Sequence, residues 1–204
     1  MIVTRLEEVA KNRYKVYLEE QFAFVLYKGE LNRYHIKEGE EIEEDIVGKI
    51  EKEVVLKRAK KRILYILERM PRTEKQLRDK LKENFYSTHI IDEAIEYAKS
   101  FGYIEDEQYA HRFIEDKKKN KSRKEIRYLL LQKGIQKELL DDVLEAAYGM
   151  SDDTVAIESL VRKKGYDIEN ITELEKRKIY SYLMRKGFSY RNICQVLRVS
   201  EWNA

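Results

Sequence analysis

The chain has 204 residues, with 41 Lys and Arg against 38 Asp and Glu, 43% hydrophobic side chains, eight Gly and one Pro, which excludes collagen-like, mucin-like and low-complexity chains and suits a soluble, helix-rich one. Charged residues reach 39% where about 25% is usual, so small modules with thin cores are expected rather than one large globule. The longest stretch free of charged side chains, Asn84 to Ile91, is eight residues, far short of the about 20 a membrane-spanning helix needs.

The first residues carry no basic leader, and the single cysteine, Cys194, allows no internal disulfide. A cytoplasmic protein is the expectation. Charge is uneven along the chain: residues 1–53 carry a net −4, 54–105 carry +4, 106–150 carry +1 and 151–204 carry +2. The asymmetry suggests an acidic head outside any polyanion footprint, followed by a body able to approach one.

In chain order, the first 26 residues alternate as strands do, through Val3, Arg5, Glu7 and Val9, then Tyr14, Val16 and Leu18, then Phe22, Phe24 and Leu26. Breaks at Lys11-Asn12 and Glu19-Glu20 make this a small antiparallel sheet. Tyr27 to His35 and Glu43 onward become helical, with Gly39 between them.

From about residue 50 the apolar spacing is three or four, and three capping boxes open helices: Thr73 to Gln76, Ser122 to Glu125 and Thr172 to Glu175. In each, a hydroxyl and the side chain three residues on satisfy one another's backbone donors. Leu77, Leu81, Ile91 and Ile95 superpose on Ile126, Leu130, Leu140 and Leu144 at an offset of 49, and a further 53 residues reaches Ile179, Leu183, Ile193 and Leu197. Gly134 and Gly187 fit the left-handed turn after a helix, and Phe85 fills that position in the first copy; Tyr86, Ile135 and Phe188 plug the corners.

A preceding helix recurs with Ala59 and Ile63, Ala110 and Ile114, and Ala156 and Leu160. The fold class is therefore mainly α: a head at 1–53 and three tandem three-helix repeats at 54–104, 105–150 and 151–204, expected to stack into an elongated, curved body.

Reacting groups are sparse. His35, His89 and His111 are far apart and have no cysteine at metal spacing, and there is no phosphate-cradling glycine loop or nucleophile elbow. No catalytic residue, cofactor or metal is expected. Acid pairs such as Asp152-Asp153 serve helix starts more often than metals, and Cys194 reads as a packed small hydrophobe.

Basic clustering stands out instead. Lys57, Arg58, Lys61 and Arg62 begin the first repeat, Lys117 to Lys124 holds six basic residues in eight, and Arg162-Lys163-Lys164, Arg185-Lys186 and Arg191 continue the pattern. Repeat register makes Lys75, Lys124 and Arg177 one slot, about 160° from the first apolar residue of the second helix. Three residues on, the slot reads Arg78, Arg127 and Tyr180, and four beyond that Lys82, Leu131 and Met184. Such an outward stripe suits phosphate contact beside stacking or protein contact.

Several segments resemble the RecX family of regulatory proteins. Gly102-Tyr103-Ile104-Glu105-Asp106-Glu107-Gln108-Tyr109-Ala110 is similar to its first repeat junction, and Leu131 to Ile135 with Leu140 and Leu144 to its second repeat. Arg185-Lys186-Gly187-Phe188-Ser189-Tyr190 with Ile193, Val196 and Leu197 is similar to the C-terminal motif. The likeness covers about residues 55–200. Departures are Glu105, where the family often carries Asp or Asn, and Lys121, where it often carries Gly.

The resemblance implies a non-enzymatic modulator of the RecA recombinase in DNA repair and the SOS response. Such a protein lodges in the helical groove of the RecA filament on DNA and usually inhibits it. The expected contacts are Lys57, Arg58, Lys61, Arg62, Lys75, Arg78, Lys117, Lys118, Lys119, Lys121, Lys124, Arg127, Arg162, Lys163, Lys164, Arg177, Arg185, Lys186 and Arg191. The expected partners are the RecA filament and single- or double-stranded DNA, met by a monomer without a membrane. Two alternatives remain: direct binding of single-stranded nucleic acid, and a remote Mg-dependent nuclease built on Asp141, Asp142, Asp152 and Asp153.

Overall fold

A computed structural model describes residues 1–148 and 153–199. The chain forms two compact units, Met1–Glu105 and a second that begins at Asp106.

The first unit opens with three antiparallel strands in the order β1 (Val3–Ala10), β2 (Arg13–Leu18), β3 (Gln21–Tyr27). Their turns fall at the predicted breaks. Asn12 is left-handed at φ 61°, and Glu19 and Glu20 both take positive φ, 48° and 64°, the backbone that matches the twist of a tight hairpin. Glutamates are unusual there, and local hydrogen bonds hold them: Ile2 N donates to the Glu19 carboxylate at 2.6 Å and Glu20 N to Thr4 Oγ1 at 3.0 Å.

Val16, Leu18, Phe24 and Leu26 alternate into the core. The alternation expected through Val3, Arg5 and Glu7 is interrupted by a bulge between Val3 and Arg5, so that Leu6 packs on the core after Val3. An inserted residue moves every later side chain to the opposite face.

After α1 (Lys28–Arg33), helix α2 (Glu44–Ile50) runs through a π segment, Glu51–Leu56, directly into α3 (Lys57–Arg69). Ile50 and Leu56 at the joins keep right-handed helical dihedrals, so the run is one rod. The wide turn advances the buried position by five, from Ile50 to Val55, before steps of four carry it to Ala59 and Ile63. The division expected at residue 53 falls inside this rod. Sheet and first helix trio share one core that includes Phe24, Leu26, Ile50, Ile63, Leu77 and Ile91.

The three trios are α3, α4 (Glu74–Lys82) and α5 (Thr88–Ser100); α6 (Asp106–Lys117), α7 (Arg123–Gln132) and α8 (Lys137–Tyr148); and α9 (Thr154–Lys163), α10 (Glu173–Arg185) and α11 (Tyr190–Leu197). The register residues from Leu77 to Leu197 are all at most 2% exposed. Each such side chain contributes about 2 kcal/mol by burial, so the three-four spacing is what the trios are built on. The second and third trios have cores of their own.

All three corners close alike. Phe85, Gly134 and Gly187 are left-handed at φ 63°, 89° and 85°. The next residue donates back across the turn, Tyr86 to Leu81, Ile135 to Leu130 and Phe188 to Leu183, at 3.1–3.2 Å. These bonds satisfy carbonyls the helix end leaves open.

Two of the expected capping boxes are reciprocal, at Thr73 and Thr172. The third is half a box. Ser122 Oγ accepts from Glu125 N at 3.1 Å but itself donates to the Lys186 carbonyl at 2.7 Å, while Lys121 takes the Glu125 carboxylate. Lys121 is not left-handed, so it stands where the family often has glycine without needing glycine's freedom. Among the described residues no helix is long and apolar enough to cross a membrane.

Candidate partner-binding surface

The slot picked from the register, Lys75, Lys124 and Arg177, is exposed in all three trios. Its surroundings differ. Lys75 Nζ lies 3.4 Å from Asp79, whereas Lys124 has no ion-pair partner among the described residues.

The next slot is occupied by the fold itself. Arg78 donates to Glu74 from Nε at 2.7 Å and reaches Asp92 with Nη1, and Arg127 donates to Asp141 from Nε and Nη2 at 3.1 and 2.7 Å. Each arginine clamps the second helix of its trio to the third. Asp92 and Asp141 are themselves 49 apart, so the clamp repeats with the register. In the third trio Tyr180 and Cys194 hold the two positions.

Glu74 also meets Lys99 Nζ at 3.2 Å. Partial burial raises the Glu74 pKa, but hydrogen bonds from Arg78 and Lys99 outweigh it and hold the carboxyl below the ordinary range. The bond to Glu74 raises Lys99 in turn.

The remaining cations divide in the same way. Arg58 is part of the fold: its Nη2 reaches both Glu30 oxygens and its Nη1 donates to the Val25 carbonyl at 3.0 Å, tying α3 to β3 and α1. Lys117 pairs with Asp116 and Lys118 with Glu115, each at 2.6 Å, Lys121 pairs with Glu125, and Arg162 lies 3.8 Å from Glu158. Arg62 sits over the Tyr65 ring at 5.5 Å and Lys164 over Tyr182 at 4.8 Å. Lys57, Lys61, Lys119, Lys163, Arg185, Lys186 and Arg191 join Lys124 in having no ion pair among the described residues.

Two of the carboxylates weighed for a metal have other partners. Asp141 takes Arg127, and Asp153 accepts from Arg123 N at 3.1 and 3.2 Å. Asp152 lies outside the described residues. Among those described, no three His, Cys, Asp or Glu side chains gather to hold an ion.

One constellation escaped the sequence reading. Lys15 Nζ lies 4.3 Å from the Phe85 ring centroid and the Arg13 guanidinium 5.8 Å, and Arg13 Nη2 donates to the Asn84 carbonyl at 2.7 Å. The acidic head thus presents a basic face to the first trio's corner. The available signal was the two-residue spacing of Arg13 and Lys15 on β2, together with a phenylalanine in a glycine position.

Where the second trio meets the third, a cavity of about 630 Å³ opens between α7 and the end of α10. Lys124, Glu125, Tyr128 and Leu129 line one wall, and Tyr182, Met184, Arg185, Lys186 and Gly187 the other. The Ser122 to Lys186 hydrogen bond fixes the walls. Gly187 permits the approach, since a Cβ there would stand 3.2 Å from Ser122 Oγ and 3.5 Å from Lys124 Cβ.

Family patterns described as the first, second and third three-helix domains of RecX match residues 59–97, 106–144 and 152–197, in that order. The chain belongs to the RecX family. A regulatory protein RecX of Caldanaerobacter subterraneus subsp. tengcongensis is 34% identical over 98% of this chain and 100% of its own length. Another, of Clostridium beijerinckii, is 30% identical over 97% and 94%. A crystal structure of regulatory protein RecX, 25% identical, superposes with a TM-score of 0.61 over 97% of this chain and 99% of its own. RecX from Lactobacillus salivarius, 24% identical, shares the fold at a TM-score of 0.57 over 70% and 94%. The α-helical trios and the sheet-bearing head are thus RecX architecture, and the family name marks the chain as a regulator.

Proposed function

We propose that this chain regulates the RecA recombinase by binding its filament on DNA, in the helical groove, as a cytoplasmic monomer that inhibits the recombinase in DNA repair and the SOS response. The observation that carries the reading is the succession of three RecX domains. The charge pattern supports it. Lys124, Lys163, Arg185 and Arg191 have no ion-pair partner among the described residues to give up, so they can displace counterions from a polyanion at little cost. Arg58, Arg78 and Arg127 would have to break fold contacts first, and they belong to the scaffold rather than to the footprint.

The test is RecA ATPase and strand exchange on single-stranded DNA with and without this protein, where the expected result is a dose-dependent fall in both. A Lys124→Glu, Lys163→Glu, Arg191→Glu variant is expected to lose inhibition by about tenfold or more while melting as the parent does, because exposed changes cost little stability. Unchanged recombinase rates with the parent protein overturn the reading. Undiminished inhibition by the variant removes those cations from the footprint.

A further inference from the structure

We infer that the cavity between α7 and the end of α10 is a docking site for a short acidic peptide segment that presents one bulky apolar side chain. The inference rests on the filament reading only for which protein supplies the segment. It follows from what lines the cavity.

Leu129 on one wall and Met184 on the other are apolar, with Met184 42% exposed, and Tyr128 lines the cavity at 60% exposed. Large apolar and aromatic groups left open in a concave wall gain free energy only when something covers them. Tyr, Met and Arg are also the side chains that concentrate where proteins meet proteins. The lining is also cationic, through Lys124, Arg185 and Lys186, none of them ion-paired among the described residues. Acidic residues flanking the anchor complement it.

A run of phosphates is disfavoured by Glu125, the one acid among the described residues that line the wall. Lys121 holds the Glu125 carboxylate in place. A nucleobase would stack on Tyr128, but its polar edge would face Leu129 and Met184, which offer it no partner. The volume, about 630 Å³, lies within the about 300–1,000 Å³ typical of ligand-binding clefts. Walls pinned by the Ser122–Lys186 bond are preorganised, so little ordering is needed on binding.

The experiment is fluorescence anisotropy on the full chain, without recombinase, using three fluorescein-labelled probes: a pentapeptide with a central phenylalanine flanked by acidic residues, the same peptide with serine at the centre, and a five-nucleotide oligo-dT. The phenylalanine peptide is expected to bind at least about tenfold tighter than the serine peptide. Tyr128→Ala and Met184→Asp are each expected to weaken it at least about fivefold with melting unchanged, since both positions are exposed. Equal binding of the two peptides, no peptide binding, or indifference to both substitutions overturns the inference. Tighter binding of oligo-dT that the same substitutions abolish also overturns it, in favour of a nucleic-acid site. Because no recombinase is present, failure here leaves the RecA reading standing, and failure of the ATPase test leaves this site standing.

Discussion

The first and third helix trios share a backbone and differ in what they do with its outward face. In the first, Lys75 and Arg78 answer to Asp79, Glu74 and Asp92, and Phe85 fills the corner under the β2 cations. In the third, Tyr180 and Cys194 replace the clamp, glycine returns to the corner, and Met184 and Arg185 face outward. The apolar register therefore carries the fold alone. The side chains between its teeth are set by what each copy meets, a sheet in one case and an open cavity in the other.

The strongest way to break this comparison is through the register itself. Leu130→Asp is expected to cost more than about 4 kcal/mol and abolish cooperative melting of the second unit, because it buries an unpaired charge at a position 0% exposed. Leu131→Asp, one residue on and 37% exposed, is expected to change stability by less than about 0.5 kcal/mol. Next comes Arg58→Ala, which removes the charge-assisted bonds to Glu30 and is expected to cost about 2 kcal/mol in denaturant melts, against almost nothing for Lys61→Ala.

A reciprocal pair sharpens the corner. Gly187→Ala is expected to cost about 1 kcal/mol from its left-handed φ alone, with further loss from the Ser122 contact. Phe85→Gly is expected to be close to neutral, as relief of about 1–2 kcal/mol of strain offsets loss of the ring's contacts with Lys15 and Arg13.

The subtlest test is acid dependence. With its folded pKa lowered, Glu74 contributes stability that is fully present above the ordinary carboxylate range and is lost as pH falls through the folded value. Glu74→Gln is expected to be less stable than the parent near neutrality and to converge with it in acid, measured by chemical denaturation across pH. The corresponding positions in the other trios, Arg123 and Lys176, have no carboxyl to titrate.

Much of the fold was legible because it is periodic. The twelve register residues, the glycine corners, two capping boxes and the hairpin breaks each follow from a local rule that the neighbouring sequence does not contest. What was not legible arises between elements. Glu30 and Arg58 are 28 residues apart and meet only because the sheet lies on α3. The half box at Ser122 reflects a third-trio carbonyl that no local pattern announces. The clamp was readable in principle, since Asp92 and Asp141 keep the same offset as Arg78 and Arg127, but following cations alone along the stripe passed over it. For the candidate surface, the register identifies which positions face outward, and only the folded structure separates cations already engaged by a carboxylate from those that are not.

The rod from Glu44 to Arg69 has one place where its length is negotiable. A ring closed five residues back contains one residue more than a ring closed four back, so removing a single residue from Glu51–Leu56 can leave a regular α-helix with the head and the first trio still in phase. The same deletion within Lys57–Arg69 would swing Ile63 about 100° around the shaft. Insertions and deletions that distinguish relatives of this chain should therefore gather at that wide turn and avoid the helix on either side of it.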